Sequence, residues 1–200
     1  MAKLRLEDIA DLRAYERDRE SFRERIIALK RRRRIHVGPV ITFVFENRDT
    51  VRFQIQEMAR AERMLTDEAI QGELDAYNPL IPEAGGLSAT LFVELTSEAE
   101  LREWLPKLVG VERSVELVIG GGPSVVTLKG GPEASHAAQL TREEMTASVH
   151  YVQWALTPPQ VDAFAAGPVV LAVNHPEYAF GTTLAPESHA ELLADLRGGP

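Results

Sequence analysis

Cysteine is absent from the 200 residues, and this absence closes several routes at once. No disulfide framework, thiolate nucleophile, cysteine-ligated zinc or protein-ligated iron–sulfur cluster can be built from such a chain. Any metal would have to rest on His, Asp and Glu, and no residue pattern requires a cofactor. Long apolar runs are missing too. No window approaches the roughly 18 apolar residues of a spanning helix, and the stretch from Met1 to Leu12 carries no apolar run of signal-peptide length. The expectation is a cytoplasmic protein that does not enter a membrane. Positive charge is in the minority, and the net charge of −8 speaks against a nucleic-acid binder, because phosphate neutralisation needs clustered Lys and Arg. Familiar catalytic spacings are also lacking: neither a G-x-S-x-G elbow nor an H-E-x-x-H or H-x-x-E-H pair occurs.

What is present suits an ordinary folded chain. A hydrophobic share of 44% with 26% charged residues rules out wholesale disorder, and the length fits a single domain spanning 1–200. That domain divides into an N-terminal helical segment, 1–34, and a core, 35–200. In the first segment Tyr15, Phe22, Ile26 and Leu29 recur at helical spacing. The helix ends in Lys30-Arg31-Arg32-Arg33-Arg34, a run that complements a helix C-terminus. The same run is a candidate patch for an acidic protein surface or an anionic ligand.

The core opens with Val40–Phe45, β-branched and aromatic throughout, hence a strand buried on both faces. Further strands are expected at Ser88–Leu95, Arg113–Ile119, Ser124–Leu128, Thr146–Leu156 and Val169–Val173. The Gly120–Pro123 run between two of them reads as a hairpin turn, since a phosphate cradle wants a helix after it. Gly130 to Glu144 has no period and reads as a loop. Helices are announced by caps: Asn47 or Asp49, Thr66, the Ser97–Glu100 box, and Thr157 with Gln160. Hairpins mixed with irregularly placed helices argue for an α+β fold. Its expected form is a mixed, mostly antiparallel sheet of about six strands, packed with a buried charged helix pair and peripheral helices.

The least ordinary stretch runs from Glu46 to Tyr77. Wound at about 100° per residue, Val51, Ile55, Met58, Ala59 and Leu65 gather on one side with Glu62 among them, while Phe53 and Met64 form a second apolar strip beside Glu57. A helix apolar on two flanks is buried on both, so Gln54, Glu57 and Glu62 should need partners, with Arg48, Arg60 and Arg113 as the nearest sources of charge. His150 sits on the apolar face of a strand and His175 at a strand end before Pro176. Arg48, Gln54, Glu57, Arg60, Glu62, His150 and His175 together form a candidate polar site. The bland reading of each is a salt-bridge lattice for the carboxylates, a satisfied core histidine at 150 and a turn-stabilising one at 175.

Several long motifs carry a resemblance. FENRDTVRFQIQEMARAER, ELDAYNPLIP, the G-V-E-R that follows, S-V-H-Y and V-N-H-P-E-Y resemble a bacterial protein family of unknown function, over almost the whole chain. The matching positions include Asn47, Arg48, Gln54, Gln56, Glu57, Arg60, Glu62, Arg63, Tyr77, Asn78 and Pro79. The resemblance implies that members are sometimes encoded near rubrerythrin-like and iron–sulfur redox proteins, and with that an accessory role beside redox or oxidative-stress proteins. It assigns no residue a task.

Two readings therefore stand. One is a non-enzymatic accessory protein that binds a redox partner, an acidic surface or a small anionic ligand. The other is a small metal- or carboxylate-dependent enzyme using Glu57, Glu62, His150 and His175. Convergence of those four side chains separates them.

Overall fold

The computed structural model describes residues 1–121, 125–134 and 145–199. Helix α1 (Leu12–Arg33) starts where the Asp11 carboxylate accepts the Ala14 N–H, and runs without a loop into strand β1 (Arg34–Val37). β1 was not expected. Its alternation of exposed and buried residues covers four positions only, too short to stand out beside a strong helical pattern. A turn at Gly38 leads to β2 (Ile41–Phe45), and then come α2 (Arg48–Glu62) and α3 (Asp67–Tyr77). β3 (Gly86–Val93), α4 (Glu98–Lys107) and β4 (Val115–Ile119) follow, then β5 (Val126–Lys129) and the two-residue β6 (Gly131–Pro132). The chain closes with β7 (Val149–Ala155), α5 (Pro158–Ala166), β8 (Val169–His175), β9 (Tyr178–Thr183) and α6 (Pro186–Leu196).

The α+β class holds, but the strands form two sheets. One has the order β1-β2-β3-β7-β6 and the other β5-β4-β8-β9, and every pairing is antiparallel. β4 and β5 pair as the hairpin that the glycine run implied; Gly122–Ser124 and the stretch 135–144 of the expected loop lie outside the described residues.

Period-two alternation sorts the five-stranded sheet into two faces. Phe43, Phe45, Leu91, Val152 and Trp154 pack in one apolar cluster with Leu117, Ile119, Leu171 and Val173 of the four-stranded sheet, and Phe164, Leu192 and Leu196 join from the last helices. The opposite face meets a helical layer. α2 sends Val51 and Ile55 into a cluster with Leu74, Leu80 and Ile81, while Phe53 on its other flank joins Tyr15, Phe22 and Ile26 of α1. Both flanks of α2 are thus covered, which explains why so little of this charged helix is wet. Phe22 holds the contact, meeting Phe53 edge-on at 5.7 Å.

Two polar devices lock the layers. Arg33, only 2% exposed, forms a bidentate pair with Asp195 at 2.6 and 2.9 Å and reaches Glu191 at 3.3 Å, tying α1 to α6. The Tyr178 hydroxyl donates to the Val37 carbonyl at 2.6 Å and accepts from the Val40 and Ile41 N–H groups, tying β9 to the β1–β2 turn. Gly38 in that turn has φ +70°, and a Cβ there would lie 2.5 Å from the Tyr178 oxygen, so only glycine fits.

Candidate functional site

The residues singled out in the sequence do not converge. Glu57 does find partners, but they come from α1: the Tyr15 phenol donates at 2.7 Å and Arg19 grips both oxygens at 2.8 and 2.7 Å. The Arg19 hydrogen bonds hold the Glu57 carboxyl below the usual range, burial opposes them, and the Tyr15 bond assists. Arg48 instead pairs with Asp8 at 2.6 Å and Arg60 with Glu16 at 2.8 Å, while Arg113 lies 3.5 Å from Glu112. The expected lattice is real in kind and different in membership, because Arg19 and Glu16 of α1 and Asp8 just before it supply the partners of Glu57, Arg60 and Arg48.

Glu62 was expected among buried apolar residues and is exposed. The reason lies in the helix end: Arg63 turns left-handed at φ 54°, α2 stops at Glu62, and Leu65, which would have flanked it, is 83% exposed. The nearby Glu73 carboxyl is raised by burial first and by Glu62 second.

His150 is 2% exposed on β7, with Nε2 2.7 Å from the Thr146 hydroxyl and 3.0 Å from the Ala147 carbonyl. Burial lowers its pKa, with Glu112 opposing, so the fold disfavours the charged ring. His175 donates from Nε2 to the Val109 carbonyl at 3.0 Å and accepts the Glu177 N–H on Nδ1, bracing the β8–β9 turn. Among the described residues no three His, Asp or Glu side chains are grouped to hold an ion. The sequence does contain a Glu-x-x-His spacing, Glu133 to His136, but His136 lies outside the described residues.

The basic run is also different from its sequence appearance. Arg32, Arg33 and Arg34 are consumed by Glu191, Asp195 and Glu94. Arg31 is exposed, and Lys30 turns inward over the Phe53 ring. Five consecutive cations do not make a free patch, since a helix-to-strand passage at Arg33–Arg34 points them in different directions.

What the fold does build is a cavity of about 270 Å³ between the helical layer and the sheet, lined by Lys30, Arg34, Val44, Glu46, Thr50, Val51, Gln54, Tyr77, Leu80, Thr90, Phe92, Val149 and Tyr151. The register explains its floor. Arg34, Val44, Thr90 and Tyr151 are directly opposite one another across β1, β2, β3 and β7, so they form one row on the helix-facing side. Glu46 stands two residues beyond Val44 on the same face, 8% exposed. Its two oxygens accept separately from the Thr50 hydroxyl, one turn into α2, and from the Thr90 hydroxyl at 2.6 Å. Tyr151 is held protonated: burial first, then Tyr77 and Glu46, push its phenol up to about 12. Of the earlier candidates only Gln54, with Lys30 and Arg34 of the basic run, reaches this cavity.

Glu46 was passed over because it follows a buried strand and precedes a cap, where a charged residue ordinarily marks the end of burial. The available signal was the alternation itself, which carries Thr42, Val44 and Glu46 on one face, with Thr50 a helical turn away.

A two-sheet antiparallel α+β protein, with helices over one face and a small polar cavity beneath them, is the class that this architecture defines. The chain belongs to the DUF3501 family, described as proteins of unknown function, whose profile matches residues 3–196. It is similar to a solved structure of a novel protein of unknown function from Burkholderia pseudomallei K96243, with 32% identity and a TM-score of 0.88 over 98% of this chain and 100% of that one. No curated protein matches it. No helix among the described residues is long and apolar enough to cross a membrane.

Proposed function

We propose that this is a cytoplasmic accessory protein that binds a small molecule in the cavity between α1, α2, α3 and the five-stranded sheet. The observation that carries the reading is a buried carboxylate, Glu46, presented to a defined cavity by two threonine hydroxyls, with Tyr151 on the same sheet floor and Tyr77 and Gln54 on the helices above it. Small-ligand sites combine apolar walls with a few placed polar groups in this way. Binding is favoured over catalysis by the chemistry of the wall. Tyr151 keeps its proton near neutral pH, and neither His150 nor His175 belongs to the cavity lining. The glutamate–histidine enzyme needs a convergence that Glu57, Glu62, His150 and His175 do not show.

The test is extraction. Purified protein is denatured and its small molecules are compared by mass spectrometry with those from Val149→Phe, which narrows the cavity from β7. A species present in the wild-type extract and missing from the variant is the expected result. Identical extracts, together with no thermal shift from a metabolite panel that distinguishes the two proteins, would refute the reading.

A further inference from the structure

We infer that the ligand of this cavity is a small zwitterion, an amino acid or a similar compound joining an ammonium group to an anionic one. The inference rests on the binding reading above and adds the ligand's charge pattern.

Two opposite charges border the cavity without an oppositely charged partner among the described residues. The Glu46 carboxylate is nine-tenths buried, and among the described residues no Lys, Arg or His nitrogen lies within salt-bridge distance of it. Each carboxylate oxygen can accept more than one hydrogen bond, and Thr50 and Thr90 provide one donor to each. Burying a charge with only neutral donors is costly, and a ligand ammonium would offset that cost with charge-assisted hydrogen bonds.

Lys30 is the complementary case. It is partly buried, 5.8 Å from the Phe53 ring centroid, and no carboxylate among the described residues pairs with it. Its neighbours make the contrast sharp: Arg32, Arg33 and Arg34 all hold acidic partners. Of the two cations of the run that line the cavity, Arg34 is committed to Glu94 and Lys30 has no acidic partner among the described residues. Arg34 lies on the strand adjacent to Glu46 and two residues off in register, and Lys30, Arg34 and the Glu46 carboxylate border one cavity. One small molecule carrying both charges can meet the two unpaired groups within that single space.

Size and wall chemistry complete the match. A volume of about 270 Å³ equals about nine waters at their liquid volume, which admits a ligand on the order of ten heavy atoms. Val51, Leu80, Phe92 and Val149 supply an apolar wall for an aliphatic or aromatic portion.

The test is calorimetric titration with the twenty L-amino acids, followed by truncated analogues of the tightest binder lacking either the amine or the carboxylate. At least one amino acid should bind at least tenfold more tightly than both its analogues. Glu46→Gln should cost that amino acid at least tenfold while leaving the amine-free analogue unchanged. Lys30→Met, on the cavity rim, should show the converse with the carboxylate-free analogue. Binding of no amino acid, or equal binding of an analogue, overturns the inference. If extraction meanwhile yields a cavity-dependent molecule without this charge pattern, the binding reading survives and only the zwitterion falls.

Discussion

Replacing Tyr178 by Phe removes one oxygen and should unfasten one sheet from the other. That oxygen serves three backbone groups of the β1–β2 turn: it donates to the Val37 carbonyl at 2.6 Å and accepts from the Val40 N–H at 3.1 Å and the Ile41 N–H at 3.2 Å. Tyr178 is fully buried and packs on Trp104 edge-on, so water does not readily replace the missing hydroxyl. A short bond forgone costs about 1 kcal/mol net, and each buried group left without a partner adds about 1–3 kcal/mol. The two amides share one acceptor at longer range, which puts their combined loss at the lower end. The total is about 2–4 kcal/mol, a large part of the roughly 5–15 kcal/mol by which folded domains are stable. At about 2–4 °C per kcal/mol for a chain of this length, Tm should fall by roughly 5–15 °C. Urea unfolding should show a lower midpoint at an unchanged slope, since the surface exposed on unfolding is the same. A Tm within about 1 °C of wild type would mean that the turn's backbone is satisfied elsewhere, and the argument would fail.

Two further predictions concern protonation. Glu57→Gln should destabilise by about 1–2 kcal/mol at neutral pH, a figure discounted because more than a quarter of each partner's side chain is wet. Because the folded carboxyl titrates below its ordinary unfolded value, its contribution is complete above that unfolded value and lost as pH falls through the folded one, so the wild-type advantage should shrink in acid. Paired urea titrations at neutral and acidic pH check this; an advantage that does not change with pH contradicts it. His150 titrates below 6.5 in the folded chain because it is buried. The unfolded chain therefore binds the extra proton first, and stability should decline as pH falls from about 6.5 toward the folded value. In His150→Gln that slope should flatten, measured by the unfolding midpoint against pH; an equal slope in both proteins would place the titration elsewhere.

Local signals were legible where local physics decides them. Asn47, Thr66 and Ser97 cap their helices as their side-chain chemistry dictates, and Val40–Phe45 reads as a doubly buried strand because its residues are β-branched or aromatic at every position. β1 and β9 escaped notice for the opposite reason. Four residues of alternation, or a strand as polar as Tyr178–Thr183, hold their form through pairing with a neighbour. The candidate site was harder still. Glu57 was found because a carboxylate on an apolar helix flank violates the helical pattern, whereas Glu46 sits at a strand end where a charge violates nothing.

By itself the sequence determined the absence of thiol chemistry, the α+β class, the principal helix starts and the double burial of α2, since each follows from composition or from a period within one segment. Which charges pair was decided only by the tertiary structure. The partners of Glu57 lie 38 and 42 residues away on α1, and those of Arg33 about 160 residues away on α6. The cavity belongs to the same category: Lys30, Glu46, Thr90 and Tyr151 become neighbours through strand register and helix docking. Neither is written in any single stretch, because a charge's environment depends on what the rest of the chain lays against it.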